Sequence, residues 1–150
     1  MQASPKGRAI AWALLAIIGL ANMAGYAFDM YQRFWWFDRV LHAATVFVIT
    51  LWLALFVYGR ALRGGYSALV VLMLASVGLA LGAIWEVVEW GFDQVAPGNV
   101  IKGKHDTVID IVMDTMGALL AGLASLTFLR PLGREDTLPN AALQGSRHVR

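Results

Sequence analysis

Four stretches of this chain, residues 9–28, 38–58, 66–92 and 107–129, are each apolar enough and long enough to cross a bilayer. About 20 helical residues traverse the hydrocarbon core, so the expected fold is all-α: an integral membrane bundle of four transmembrane helices. Composition points the same way. The 150 residues are 59% hydrophobic and 15% charged, with a mean hydropathy of +0.62, whereas soluble domains sit near 45–50% apolar and about 25% charged. A soluble domain of this length could not hide that much apolar surface. The third stretch is long and is expected to tilt or to emerge at one end.

The breaks between spans carry charge or turn formers. They are residues 29–37, the segment GRALRGG at 59–65, and DQVAPGNVIKGKH at 93–105 with Pro97, Gly98 and Asn99. Residues 1–130 are read as one transmembrane domain, and 131–150 as a polar, disordered cytoplasmic tail. Lys6 and Arg8 followed by an apolar run resemble a signal peptide, with Gly25-Tyr26-Ala27 as a cleavage site. The apolar run continues to Phe28 without a polar segment, so a retained span is expected. The chain has no cysteine, which excludes disulfides, thiolate metal sites and iron–sulfur clusters within it. A formal charge of +2 is too small to suggest a nucleic-acid partner; the expected surroundings are membrane lipid.

Lys and Arg near span ends set orientation. The N-terminus, the second loop and the tail hold eight (Lys6, Arg8, Arg60, Arg63, Arg130, Arg134, Arg147, Arg150), and the opposite side holds four (Arg33, Arg39, Lys102, Lys104). Both termini are therefore expected to be cytoplasmic. Arg33–Phe37 (RFWWF) would then anchor the outer interface, and Trp85 and Trp90 would belong to the same aromatic belt.

The acids are the informative residues. Of ten, only Glu135 and Asp136 lie in the tail, and an up-and-down threading carries the other eight to the outer side. Asp38 and His42 open the second span, Glu86 and Glu89 close the third, and Asp106, Asp110 and Asp114 open the fourth. Side chains three or four apart share a helix face, so each set forms a stripe. At about 1.5 Å per residue, Asp114 lies well below the start of its helix. An ionised side chain at the centre of a spanning helix costs roughly 2.5–3.5 kcal/mol, and something must offset that. Small residues continue the stripes inward: Gly78 and Gly82 below Glu86, and Gly117, Ala118, Ala121, Gly122 and Ser125 below Asp114. Such stripes let helices approach closely in lipid, so the third and fourth spans are expected to pack tightly at their inner ends.

Three compensations are open: protein cations (Arg39, Lys102, Lys104), protonation, or a bound divalent ion. His42 beside Asp38 favours the ion, because carboxylate and imidazole together suit Mn²⁺, Fe²⁺ or Zn²⁺, with Mg²⁺ also an oxygen-site candidate. The expected ligand set is Asp38, His42, Glu86, Glu89, Asp110 and Asp114, with Asp106 at the rim. His105 is read as a loop residue. Thr107 is read as a cap of the fourth helix or as a partner of Asp110.

Three motifs, FDRVLH at 37–42, WEVVEW at 85–90 and DTVIDIVMDTMGALLAG at 106–122, resemble the YjdF-type family of small bacterial inner-membrane proteins. The chain is more distantly similar to VanZ-like proteins. The YjdF-type pattern of Asp-Arg-x-x-His, Glu-x-x-Glu-Trp and Asp-Thr-x-x-Asp is matched by Asp38, Arg39 and His42, by Glu86, Glu89 and Trp90, and by Asp106, Thr107 and Asp110. VanZ-like chains tend to carry Gln at the position of Glu89 and Asn at that of Asp114, followed by a Gly matching Gly117. The resemblance covers about residues 37–122 and implies a shared polar site in the bacterial cytoplasmic membrane; it names no substrate.

There is no Ser/His/Asp or Cys/His nucleophile pattern and no phosphate-binding glycine loop. Chemistry, if this chain performs any, is expected to use a metal-activated water on a lipid-linked or envelope substrate, with Glu86 or Glu89 as general base. A small proton-coupled carrier and a structural carboxylate network are the alternatives.

Overall fold

The computed structural model describes residues 2–3, 5–57, 67–95 and 100–130. The loop expected at 59–65, the turn residues Pro97, Gly98 and Asn99, and the tail at 131–150 lie outside the described residues.

Four long helices carry the fold: α1 (Pro5–Ala27), α3 (Phe37–Phe56), α4 (Ser67–Val95) and α5 (Lys104–Phe128), with a single-turn helix α2 (Met30–Arg33) between the first two. All four are long and apolar enough to cross a membrane, so the all-α class holds. The span boundaries shift by a few residues. The largest shift is at α5, which begins at Lys104 rather than near 107, so His105 and Thr107 lie inside its first turn instead of preceding or capping it. At 29 residues, α4 is about 43 Å long, well beyond a hydrocarbon core of about 30 Å, which requires tilt or protrusion.

The chain turns sharply at Asp29, whose φ of 57° is left-handed, and residues 29–37 form a compact corner. There Tyr31 donates to Asn22 Oδ1 at 3.1 Å, tying α2 back to α1. The aromatics Phe34, Trp35 and Trp36 are exposed, and the Arg39 guanidinium lies 5.3 Å from the Trp35 ring and donates to its carbonyl. At the opposite end a two-residue antiparallel pairing joins β1 (Gln2–Ala3) to β2 (Leu129–Arg130), with Gln2 opposite Arg130. It sets the start of α1 beside the end of α5.

Helix α5 is the hub. It packs along both α3 and α4, while α1 leans on α3 and barely meets α4. The tight inner packing expected between the third and fourth spans is present, and α5 packs against α3 more extensively still. The reason is glycine. A Cβ on Gly117 would run into the backbone of Ala43 on α3, 3.0 Å from its carbonyl carbon, so only glycine permits this approach. Gly78 faces Ala118 and Thr50, and Gly122 faces the Val71 backbone. Below the acids Ala11, Leu51, Ala54, Leu55, Val70, Leu74 and Ala121 form one buried apolar cluster. Around it Trp12 meets Trp52 edge-on at 5.4 Å. Among the described residues the buried ionisable groups are confined to the other end of the bundle.

Candidate functional site

His42 stands at the centre of that polar end. It lies on the second turn of α3, on the same face as Asp38, and is 8% exposed. Its Nδ1 is 3.2 Å from Asp114 Oδ1 and 3.9 Å from Glu86 Oε1, while Nε2 is 3.8 Å from Asp38 Oδ1. The shortest of these contacts joins Nδ1 to Asp114 Oδ1, and in the Nδ1–H tautomer the imidazole is its donor. One imidazole is thus encircled by acids from all three helices.

The acids divide into a rim and an interior. At the rim, Asp38 pairs with Lys102 Nζ at 3.7 Å and Asp106 with Arg39 at 3.7 Å. Lys102 N–H also donates to Asp106 at 3.2 Å. Two of the three cations expected to compensate the stripe therefore serve its outermost members. Asp106 additionally lies in the first turn of α5, where the helix dipole favours a negative group. Partly exposed pairs of this kind contribute little to stability, about 0–1 kcal/mol each.

Among the described residues no lysine or arginine pairs with the interior acids. Glu86 is 6%, Asp110 3% and Asp114 0% exposed. Both oxygens of Glu86, Oδ1 of Asp110 and Oδ2 of Asp114 have no hydrogen-bond partner; the Thr107 hydroxyl approaches Glu86 from α5. Three buried carboxylates share one imidazole, and leaving a buried acceptor unsatisfied costs about 1–3 kcal/mol, more when it is charged. The packing that forces this is specific: Gly82 on α4 has no side chain, and Asp114 fills the space where a Cβ would stand.

The donors are close enough to share an ion. One ligand atom each from His42, Glu86 and Asp110 lie within 4.8 Å of one another, and so do one each from Asp38, Asp106 and Asp110. Asp110 belongs to both groups. Five of the seven sequence-derived residues fall in these two groups, and Glu89 belongs to neither. It is half-buried and accepts a 2.8 Å hydrogen bond from Trp85 Nε1. Asp114 is likewise outside both groups and sits behind His42 as its bonded partner. His105 is exposed in the first turn of α5, away from the interior acids.

A cavity of about 690 Å³ opens beside the cluster, between α1, α3 and α4. Asp38, His42, Glu89 and Asp114 reach it, as does Lys102, and its deeper wall is apolar. Sequence reading missed four contributors. Trp85, expected only as a belt residue, lines the cavity and orients Glu89. Asn22 and Tyr31 come from the first span and the corner after it, which carry no motif. Asp93 accepts bonds from the backbone N–H groups of Val100 and Ile101 at 2.8 and 2.9 Å and fixes the approach to α5. Only Trp85, four residues before Glu89, carried a local signal.

Residues 6–131 match the model of a family described as "Predicted membrane protein (DUF2238)", and the chain belongs to that family. An uncharacterized protein of Thermotoga maritima is 26% identical over 122 residues, covering 81% of this chain and 62% of the relative. The chain thus spans somewhat less than two thirds of that relative's length. No solved structure matches.

Proposed function

We propose that this member of the DUF2238 family is a membrane protein that binds a divalent cation between α3, α4 and α5. His42, Glu86 and Asp110 are its ligands, Asp114 orients His42 from behind, and Asp38 and Asp106 flank the ligands at the rim. One observation carries the reading: three buried carboxylates with unpartnered oxygens converge on one imidazole, at a spacing that a single ion could bridge. The donor set fits. Imidazole with carboxylate oxygens suits Mn²⁺, Fe²⁺ or Zn²⁺, and Mg²⁺ by its oxygens, and ligating histidines commonly donate their other N–H to a carboxylate.

Bound there, such an ion would supply an activated water for hydrolysis of a lipid-linked or envelope substrate. The geometry then separates the two glutamates. Glu86 is enclosed among the ligands, whereas Glu89 faces the cavity and is held by Trp85, which makes Glu89 the candidate general base. The distribution of Lys and Arg supports a topology with both termini cytoplasmic and the site facing outward. The likeness to YjdF-type proteins is compatible with family membership and supports a bacterial cytoplasmic membrane location; the VanZ-like likeness stays the more distant one.

Elemental analysis of detergent-purified protein tests this. A near-stoichiometric divalent metal that disappears in Asp110→Asn is the expected result. Metal-free protein after incubation with each candidate ion refutes the reading. In that case pH-dependent cation flux in vesicles favours a proton-coupled carrier, and simple unfolding of Asp110→Asn favours a structural network.

A further inference from the structure

The cavity beside the acids has a shape that the metal reading does not explain. It runs along α3 from Asp38 to Ile49 and along α4 from Glu89 back to Leu81. Eleven residues of α3 correspond to about 16 Å, or roughly half of a hydrocarbon core of about 30 Å. Most of its polar groups are near the outer end, Thr45 and Asp114 lie deeper, and the rest of the deeper wall is built of Val46, Ile49, Leu81 and Ile84. At about 690 Å³ it falls within the range of sites that enclose a small molecule, about 300–1,000 Å³. Helix α3 forms its back wall, with α1 and α4 as its sides. Because α1 and α4 barely touch, the gap between them faces the space occupied by lipid. A water-soluble substrate would have no use for an apolar shaft reaching the middle of the membrane.

The polar end is equally specific in its chemistry. Lys102, Tyr26, Tyr31, Asn22 and Gln32 all line it, and all carry hydrogen-bond donors; the Tyr31 hydroxyl is engaged by Asn22, whereas the Lys102 ammonium, which donates to the Tyr31 carbonyl and pairs with Asp38, brings a positive charge to this end. Facing them are Asp38 and Glu89, which would repel an anion unless a divalent ion stood at the neighbouring ligands. We infer that the cavity is the seat of a lipid phosphate, with its hydrocarbon chain between α1 and α4 and its phosphate between Lys102 and the metal centre. This assignment rests on the divalent-cation reading above, because the ion is what turns an acidic wall into a phosphate site.

The test uses full-length protein in detergent, loaded with Mn²⁺, with native mass spectrometry and elemental analysis on each sample. The probes are dioleoyl phosphatidate, dioleoylglycerol with the same chains and no phosphate, and inorganic phosphate as competitor. Wild-type protein is expected to bind phosphatidate at least tenfold more tightly than dioleoylglycerol, with no competition from equimolar inorganic phosphate. Ile49→Trp and Leu81→Trp, which fill the shaft from opposite walls, are expected to weaken phosphatidate binding at least tenfold while their metal content stays at the wild-type value. That retained metal also reports that the variants are folded. Metal retained with no preference for phosphatidate, or metal-loaded variants that bind phosphatidate like wild type, overturns the lipid assignment and leaves the metal reading standing. Absence of metal together with absence of phosphatidate preference overturns both.

Discussion

Gly82→Ala is the substitution in which packing and site chemistry cannot be separated. A Cβ built on Gly82 lies 2.6 Å from Cγ and 2.7 Å from Cβ of Asp114, and closer still to Oδ2. Ordinary contact begins at 3.4 Å, so the carboxylate would have to retreat by about 1 Å, and a fully buried side chain in a close-packed interior has nowhere to go. Overpacking of this kind costs about 1–3 kcal/mol. The retreat also stretches the 3.2 Å bond to His42 beyond hydrogen-bonding range, a loss of about 1.5–3 kcal/mol for a bond to a charged group. Replacing glycine by alanine within a helix returns about 1 kcal/mol. The net destabilisation is about 1.5–5 kcal/mol, equivalent to a fall in Tm of about 3–20 °C for a chain of this size. Thermal unfolding in detergent, followed by tryptophan fluorescence, reads it directly. Gly19→Ala is the control, because nothing lies within 4 Å of its added Cβ. With His42 no longer oriented, metal affinity should fall about 10- to 100-fold, as removal of a ligand's supporting partner typically does. If Gly82→Ala melts with Gly19→Ala and keeps its metal, the claimed coupling of the glycine stripe to the acid cluster is wrong.

Gly117→Ala should be more damaging, by about 3 kcal/mol or more, because its Cβ meets the Ala43 backbone, which cannot rotate away; the same melt, with size-exclusion chromatography, checks it. Asp93→Ala removes two backbone partners at 2.8 and 2.9 Å and should cost about 1–3 kcal/mol while leaving metal content unchanged. Metal lost in that variant would show that the approach to α5 shapes the site. The Tyr31 phenol titrates above its usual range, first because burial disfavours the phenolate and then because Tyr26, Asp38 and Glu89 add negative potential. The folded protein therefore keeps a proton that the unfolded chain releases near pH 10, so this contribution is complete below pH 10 and declines as pH rises beyond it. Melting curves between pH 9 and 11 should fall less steeply for Tyr31→Phe, and an unchanged slope would contradict the argument.

The four spans were legible because a bilayer is an undemanding reader: length and hydropathy suffice, whatever the neighbours. The confluence of acids was legible for a related reason. Helical periodicity fixes Asp106, Asp110 and Asp114 on one face, and alternating spans bring the ends holding Asp38, Glu86 and Asp110 to one side. The sequence pattern also marked Gly78, Gly82, Gly117 and Gly122 as contact residues, but not which helix each would meet.

What only the tertiary structure decided is the rotation of each helix about its axis and its distance from the others. Those depend on side-chain fit between segments far apart in sequence, such as Gly117 against Ala43 and Gly82 against Asp114. The same rotations leave Glu86 enclosed and Glu89 at the cavity, although both belong to one helical stripe. They also give Lys102 and Arg39 to the rim acids and leave the interior ones, among the described residues, to His42 alone. The cavity is the extreme case, since it lies where α1 and α4 are not packed against each other. Local periodicity specifies what each helix presents; only packing specifies what it leaves open.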